Sequence, residues 1–259
     1  MASFGFDAKE KEARVATEKK AEGDAVFAEV NAFTITDNDS LTAAMNRAME
    51  LYQAGLPALA FVLFQKGANC GFAPAQTLLA NLYYTGNGTE KDLKKALYWF
   101  IQSAKLGDPK AQHSVACMFL KGEGAERSNL DALKWFQEAA KQGHEGSQKF
   151  LAQNFDTEEK GNAFVAEGCF QNYQSCLKNH LDEETTLSWL KSAAERGHAK
   201  AQFDLGGRYH SGRGVAASEQ QAIYWWTKAA EQGNATAQSV LGACYQEGFG
   251  AEANQQQAV

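Results

Sequence analysis

The sequence predicts an all-α protein, an α/α solenoid of about six helix–turn–helix repeats wound as a right-handed superhelix. Three observations predict it. Residues Ala73 to Asp108, Pro109 to His144 and Ala199 to Asn234 align without a gap as units of 36 residues, and self-similarity at such a period marks a repeat architecture. In each unit a glycine-flanked turn separates two stretches with helical apolar spacing, and the residue opening the second stretch is a preferred capping type. With 3 prolines against 23 glycines, the composition suits helices ended by glycine.

Taken in order, residues 1–39 form a charge-rich N-terminal extension. It lacks a clean apolar stripe, and Ala8 to Val30 has the composition for a partial helix. The solenoid is expected over 40–259, in units of about 42–72, 73–108, 109–144, 145–198, 199–234 and an incomplete 235–259. Ser40 is the expected N-cap of a helix running through Leu41, Ala44, Met45, Ala48, Met49 and Tyr52 and ending at Gly55. Pro57 suits the first turn of the next helix, expected from Ala58 to about Ala68.

From residue 73 the register is explicit. The pair Ala75-Gln76 recurs as Ala111-Gln112, Ser147-Gln148, Ala201-Gln202 and Ala237-Gln238 and opens a first helix. A large, a small and an aromatic residue follow on one face: Leu79, Ala80 and Tyr83; Val115, Ala116 and Phe119; Leu205, Gly206 and Tyr209; Leu241, Gly242 and Tyr245. The first helix ends at a G-x-G turn, at Gly86 and Gly88, Gly122 and Gly124, Gly212 and Gly214, and Gly248 and Gly250. No strand precedes these glycines, so a phosphate-binding loop is not the reading. Asp92, Ser128, Asp182, Ser218 and Asn254 share the N-cap position of the second helix, with Gln221 and Gln257 completing capping-box patterns. That helix carries Trp99-Phe100, Trp135-Phe136, Trp189-Leu190 or Trp225-Trp226 between small residues, and it closes at Gly107, Gly143, Gly197 or Gly233. The tryptophans Trp135, Trp189, Trp225 and Trp226 are expected in the inter-repeat core.

Residues 145–198 make a unit of 54, an insertion of 18 relative to the others. Val165, Cys169, Tyr173, Cys176 and Leu177 share one helical face there, which predicts an extra helix from about Asn162 to Leu177. The last unit stops at Ala258-Val259, where its second helix should be starting. Because solenoid ends need a polar cap, the expectation is a trimmed chain or a frayed end.

The pattern AQxxLGxxYxxGxG, the capping position and AxxWWxKAAEQG, as they stand in Ala201 to Gly233, resemble the Sel1-like repeat family, an α/α relative of the tetratricopeptide repeat. The resemblance covers roughly 42–259. It implies a non-enzymatic scaffold or adaptor, commonly bacterial, that holds a partner protein or peptide in a concave groove lined by the first helices. Two alternatives accompany it: an immunity or inhibitor protein for a cognate bacterial effector, and a small-ligand (β-lactam-like) binder or enzyme of the kind suggested for disulfide-rich relatives. The five cysteines, irregularly spaced and odd in number, weaken the second.

The net charge of -6 and pI near 5.5 argue against a nucleic-acid partner. No run of about 18 apolar residues or signal peptide is present, so no membrane insertion is expected, and the chain reads as cytoplasmic unless a leader has been removed. Cys169, Cys176 and His180 lie on one helical face at spacings that could offer three zinc ligands. Packing of the cysteines as small apolar residues is the preferred reading, and no metal, cofactor or catalytic residue is assigned. His144 and His198 share one repeat position and are expected to serve the turn between units. What does not repeat on the first helices is then the candidate partner-binding set: Asn81, Tyr84, Lys110, His113, Lys121, Gln153, Lys200, Phe203, His210 and Gln246, with Phe203 expected as an exposed apolar contact.

Overall fold

The computed structural model describes residues 23–247, and these are helical and irregular with no strand. After α1, at 23–32, come α2 (Asn38–Gln53), α3 (Pro57–Asn69), α4 (Ala73–Thr85), α5 (Leu93–Lys105), α6 (Pro109–Lys121), α7 (Asn129–Lys141), α8 (Glu145–Asn154), α9 (Glu158–Lys178), α10 (Glu183–Glu195), α11 (Ala199–Ser211), α12 (Glu219–Glu231) and α13 (Ala235–Glu247). The chain divides into two compact units, one ending at Val115 within α6 and the other beginning at Ala116. None of the described helices is long and apolar enough to cross a membrane. The expected helix before residue 23, the turn at Gly248 and Gly250 and the cap at Asn254 lie outside the described residues.

In the first unit α2, α3, α4 and α5 pack each on the next. The expected cap at Ser40 is corrected. Asp37 is the N-cap of α2, its carboxylate accepting from the Ser40 backbone N–H at 2.8 Å while Ser40 Oγ accepts from the Asp37 N–H at 3.0 Å. This reciprocal capping box starts the helix three residues before Leu41. The residues before α2 are tied down by Lys66. Its ammonium donates to the carbonyls of Val30, Asn31 and Phe33 at 2.7 to 2.9 Å, which satisfies the C-terminal carbonyls of α1. Val30 is fully buried and Glu29 pairs with Arg47. The turn after α4 passes so close to α3 that a Cβ on Gly88 would lie 2.4 Å from the carbonyl carbon of Pro57. With φ at +78° as well, only glycine fits there.

Two hydrogen bonds recur with the repeat and explain its invariant letters. The side-chain amide of each motif glutamine donates to a carbonyl eight residues earlier, in the last turn of the preceding helix: Gln76 to Ala68, Gln112 to Ala104, Gln148 to Ala140, Gln202 to Ala194 and Gln238 to Ala230, at 3.0 to 3.2 Å. Helix ends leave such carbonyls without the usual partner four residues on, and here each accepts both the glutamine amide and the N–H of the glycine three residues on, at 2.9 to 3.0 Å. In addition, the backbone N–H of the second helix's N-cap bonds back to the aromatic residue of the first: Asp92 to Tyr83, Ser128 to Phe119 and Ser218 to Tyr209, at 2.9 to 3.0 Å. That bond sets the length of the G-x-G turn. The expected caps Asp92, Ser128, Asp182 and Ser218 each accept from a backbone N–H three residues on.

In the second unit the expected extra helix is α9, begun four residues earlier than Asn162 by an N-cap at Thr157. It buries Cys169, Phe170, Tyr173 and Cys176, whereas Leu177, placed by spacing on the buried face, is 41% exposed. α9 packs on α7 and α10. At the α7 contact a Cβ on Gly168 would come within 2.7 Å of Leu130. The aromatic pairs divide their labour. The second member, Phe100, Phe136, Leu190 or Trp226, is buried, while Trp99, Trp135, Trp189 and Trp225 are half-buried. Of the four tryptophans expected in the core, Trp226 is buried there, while Trp135, Trp189 and Trp225 are half-buried and pack against the core from its edge.

Candidate functional site

The ten candidate positions are divided between the two units. Asn81, Tyr84, Lys110 and His113 belong to the first. Lys121, Gln153, Lys200, Phe203, His210 and Gln246 belong to the second. Asn81, Lys110, Lys121, Gln153, Lys200, His210 and Gln246 are exposed, and Tyr84 and His113 are half-buried. Phe203 is a correction. It is half-buried and packs against Ala222, Trp226, Leu241 and Cys244, while its carbonyl accepts from the Trp226 indole N–H at 3.2 Å. The register that places position 203 on the surface takes no account of α13, which covers it. Trp226 also brings in His210, whose ring centroid lies 5.6 Å away.

His144 and His198 do serve the turns. Each is an N-cap whose Nδ1 accepts from a backbone N–H three residues on, Ser147 and Ala201 respectively, at 3.2 Å. Asn234 does the same with Ala237. His198 goes further, because with Nδ1 accepting, its proton sits on Nε2, 3.1 Å from Glu167 of α9. Its ring stacks on Phe170 at 4.2 Å between centroids.

This pair is one end of a polar network that the repeat pattern does not contain. Asp204 and Arg208, one turn apart on α11, both act electrostatically on the Tyr173 hydroxyl of α9. Burial raises the Asp204 carboxyl above its ordinary range, opposed by the Tyr173 hydrogen bond and by the charges of Arg208 and His198. Burial also raises Tyr173, and the Asp204 charge adds to it. Arg208 Nη1 donates to Glu183 Oε1 at 2.6 Å, and Arg213 Nε lies 3.4 Å from the same oxygen. These groups open onto a cleft of about 210 Å³ lined by Cys176, Leu177, His180, Glu183, Arg208 and Arg213, with Leu181 and Thr186 completing it. His180 closes α9 with φ at +52°, the one non-glycine residue of positive φ among those described.

Sequence reasoning passed over Arg208, Glu183 and Asp204, and read Tyr173 only as part of the apolar face of the extra helix. One signal was available, since position 208 is apolar in most of the other units, as Leu51, Leu82, Met118 and Cys244, and is Asn154 in the irregular one. Cys169 and Cys176 are buried free thiols and His180 is exposed. Among the described residues no cluster of His, Cys, Asp and Glu has the geometry of a metal site.

The Sel1 repeat family model matches residues 42–72, 73–108, 109–144, 168–198, 199–234 and 235–259. Similar solved structures include a protective antigen of uropathogenic Escherichia coli displaying an SLR fold, at 29% identity and TM-score 0.43, covering 84% of this chain and 51% of that one. This chain thus spans about half the length of that antigen. A Sel1 repeat protein from Oxalobacter formigenes matches at 26% identity and TM-score 0.37, covering 83% and 78%. An immunity protein from Pseudomonas aeruginosa matches at 19% identity and TM-score 0.37, covering 88% and 81%. No functionally curated protein matches the chain.

Proposed function

This chain belongs to the Sel1 repeat family, whose members generally mediate protein–protein interaction, and on that footing we propose that it is a non-enzymatic module that binds a partner protein or peptide. The observation that supports this reading is the division of labour on α11. Ala201, Gln202, Leu205 and Gly206 are consumed by packing and helix-end hydrogen bonds, while Lys200 and His210 stay exposed. Exposed side chains on a rigid helix are placed to meet a partner. Partner recognition falls to Lys121, Gln153, Lys200, His210 and Gln246 in the second unit and to Asn81 and Lys110 in the first.

Affinity capture from the cells that produce the protein tests this. Wild type is compared with a Lys121→Glu, Lys200→Glu variant of matched melting temperature, and loss of a captured protein is expected. Retention of every partner by the variant would overturn the role of these exposed residues. A single stoichiometric effector protein in the wild-type capture would favour an immunity or inhibitor role. Turnover, or stabilisation by a small metabolite in place of any captured protein, would overturn the non-enzymatic reading.

A further inference from the structure

Position 208 belongs to the repeat's core in the regular units, where its counterparts Leu82, Met118 and Cys244 are buried, while the irregular unit has the half-buried Asn154 there. Arg208 stands there instead with its side chain 8% exposed, and a guanidinium so placed has to be paired. Its carboxylate partner, Glu183, also faces Arg213, so one anion serves two cations. Both arginines and His180 line the cleft against that single carboxylate. The lining itself therefore sets two guanidiniums against one carboxylate, on a chain whose net charge is -6, while Asp204, which also acts on Arg208, lies outside the lining. Two guanidiniums offer ten N–H donors between them, far more than Glu183 can accept. Glu183 itself is half exposed, as is most of Arg213. At the mouth stand Leu177, in the last turn of α9, and Leu181, just beyond the helix, 41% and 53% exposed. Single exposed leucines need no explanation, but here two flank a cationic cleft.

We propose that this cleft docks a protein segment carrying an aspartate or glutamate beside an apolar side chain. The carboxylate takes a place on Arg213 and Arg208 that Glu183 now shares, in the bidentate manner guanidinium favours. The apolar side chain covers Leu177 and Leu181, removing their surface from water. Gly214 leaves room for the exchange: a Cβ there would crowd the Glu183 side chain at 3.1 to 3.3 Å. The proposal rests on the reading of the chain as an interaction module and names its partner's chemistry.

The test titrates the blocked tripeptides acetyl-Leu-Glu-Leu-amide and acetyl-Leu-Gln-Leu-amide into the isotopically labelled full chain, following backbone amide shifts. The glutamate peptide is expected to move Leu177, Leu181 and Thr186 saturably. The glutamine peptide is expected to bind about tenfold more weakly, the loss of one charge-assisted pair. Arg213→Gln, at an exposed side chain, should lose about the same factor without loss of stability. Arg208→Met, which installs the residue found at Met118, is a second variant with the same expected loss. Equal binding of the two peptides, wild-type affinity in Arg213→Gln, or no saturable shift at about 10 mM peptide, an affinity below about 3 kcal/mol, would each overturn the site. Capture of a partner that Arg213→Gln leaves intact overturns the cleft and not the interaction role. Peptide binding without any captured protein supports the cleft and overturns that role.

Discussion

Gly206 and Trp226 are in direct contact: a Cβ added to Gly206 would lie 2.5 Å from Cδ1 and Nε1 of the indole. The small position of the first helix exists so that the second helix's aromatic residue can lie flat against it. Gly206→Ala should therefore destabilise the protein by about 1 to 3 kcal/mol through overpacking. Its neighbour Gly207 has nothing within 4 Å, so Gly207→Ala should stabilise by up to about 1 kcal/mol through helix propensity. Urea unfolding of the two variants checks this, and equal midpoints would show that the contact is not tight.

The aromatic pair makes a related prediction. Trp226 is 5% exposed and Trp225 is half-buried. Trp226→Ala should cost about 3 to 5 kcal/mol, and Trp225→Ala less. Thermal melts that put Trp225→Ala below Trp226→Ala would reverse the assignment of core and flank.

The motif glutamine is predicted to matter through its amide rather than its volume. Gln202→Met keeps the packing but removes two hydrogen bonds, the side-chain donor to the Ala194 carbonyl, which keeps the Gly197 N–H, and the acceptor of the exposed Gln232 amide, which keeps the Lys228 carbonyl. Loss of the two bonds, each about 0.5 to 1.5 kcal/mol net, should cost about 1 to 3 kcal/mol. Gln238→Met, at an exposed side chain, should cost less, because water can replace the lost bond to Ala230. Chemical denaturation of the pair decides it.

Asp204 sets a pH dependence. Its folded carboxyl is raised above the ordinary value of 3.8, chiefly by burial. A raised acid favours the folded state while protonated, and that contribution declines as pH rises through the folded pKa. Asp204→Asn, which does not titrate, should gain on wild type as pH rises from about 3.5 to 7. Melting temperatures measured at both ends give the sign. A gap that shrinks with rising pH would show that Tyr173, Arg208 and His198 more than repay the buried charge.

Lys66 is predicted to hold residues 23–33 in place. Lys66→Met removes the three hydrogen bonds to Val30, Asn31 and Phe33. Amide exchange across 23–33 should then accelerate while α3 to α5 keep their protection, because local openings are set by local bonds. Unchanged exchange would assign the docking to Val30 and the Glu29–Arg47 pair instead.

Much of the fold was readable from residue order. Four predicted N-caps are N-caps, the histidines are turn residues, and α9 forms where apolar spacing placed it. The Ser40 error is instructive: Asp37 and Ser40 are both good caps three residues apart, and composition does not say which one ends up as N-cap and which as N3. The cleft was less readable. A charged residue in an apolar register position was visible at Arg208, yet its partners Tyr173 and Glu183 come from the irregular unit, where alignment by period breaks down.

What the sequence determines by itself is local. Helix starts at Asp92, Ser128, Asp182 and Ser218, the glycine turns and the face that each helix buries follow from capping, backbone freedom and the 3.6-residue period, all within a few residues. What only the tertiary structure decides depends on which helix lies opposite. Trp226 is enclosed and Trp225 is not, Phe203 turns under α13, and Arg208 reaches Glu183 across 25 residues of chain. The physical reason is that burial and ion pairing are properties of two surfaces brought together, and α9, which breaks the repeat, supplies one of those surfaces to the Arg208 network.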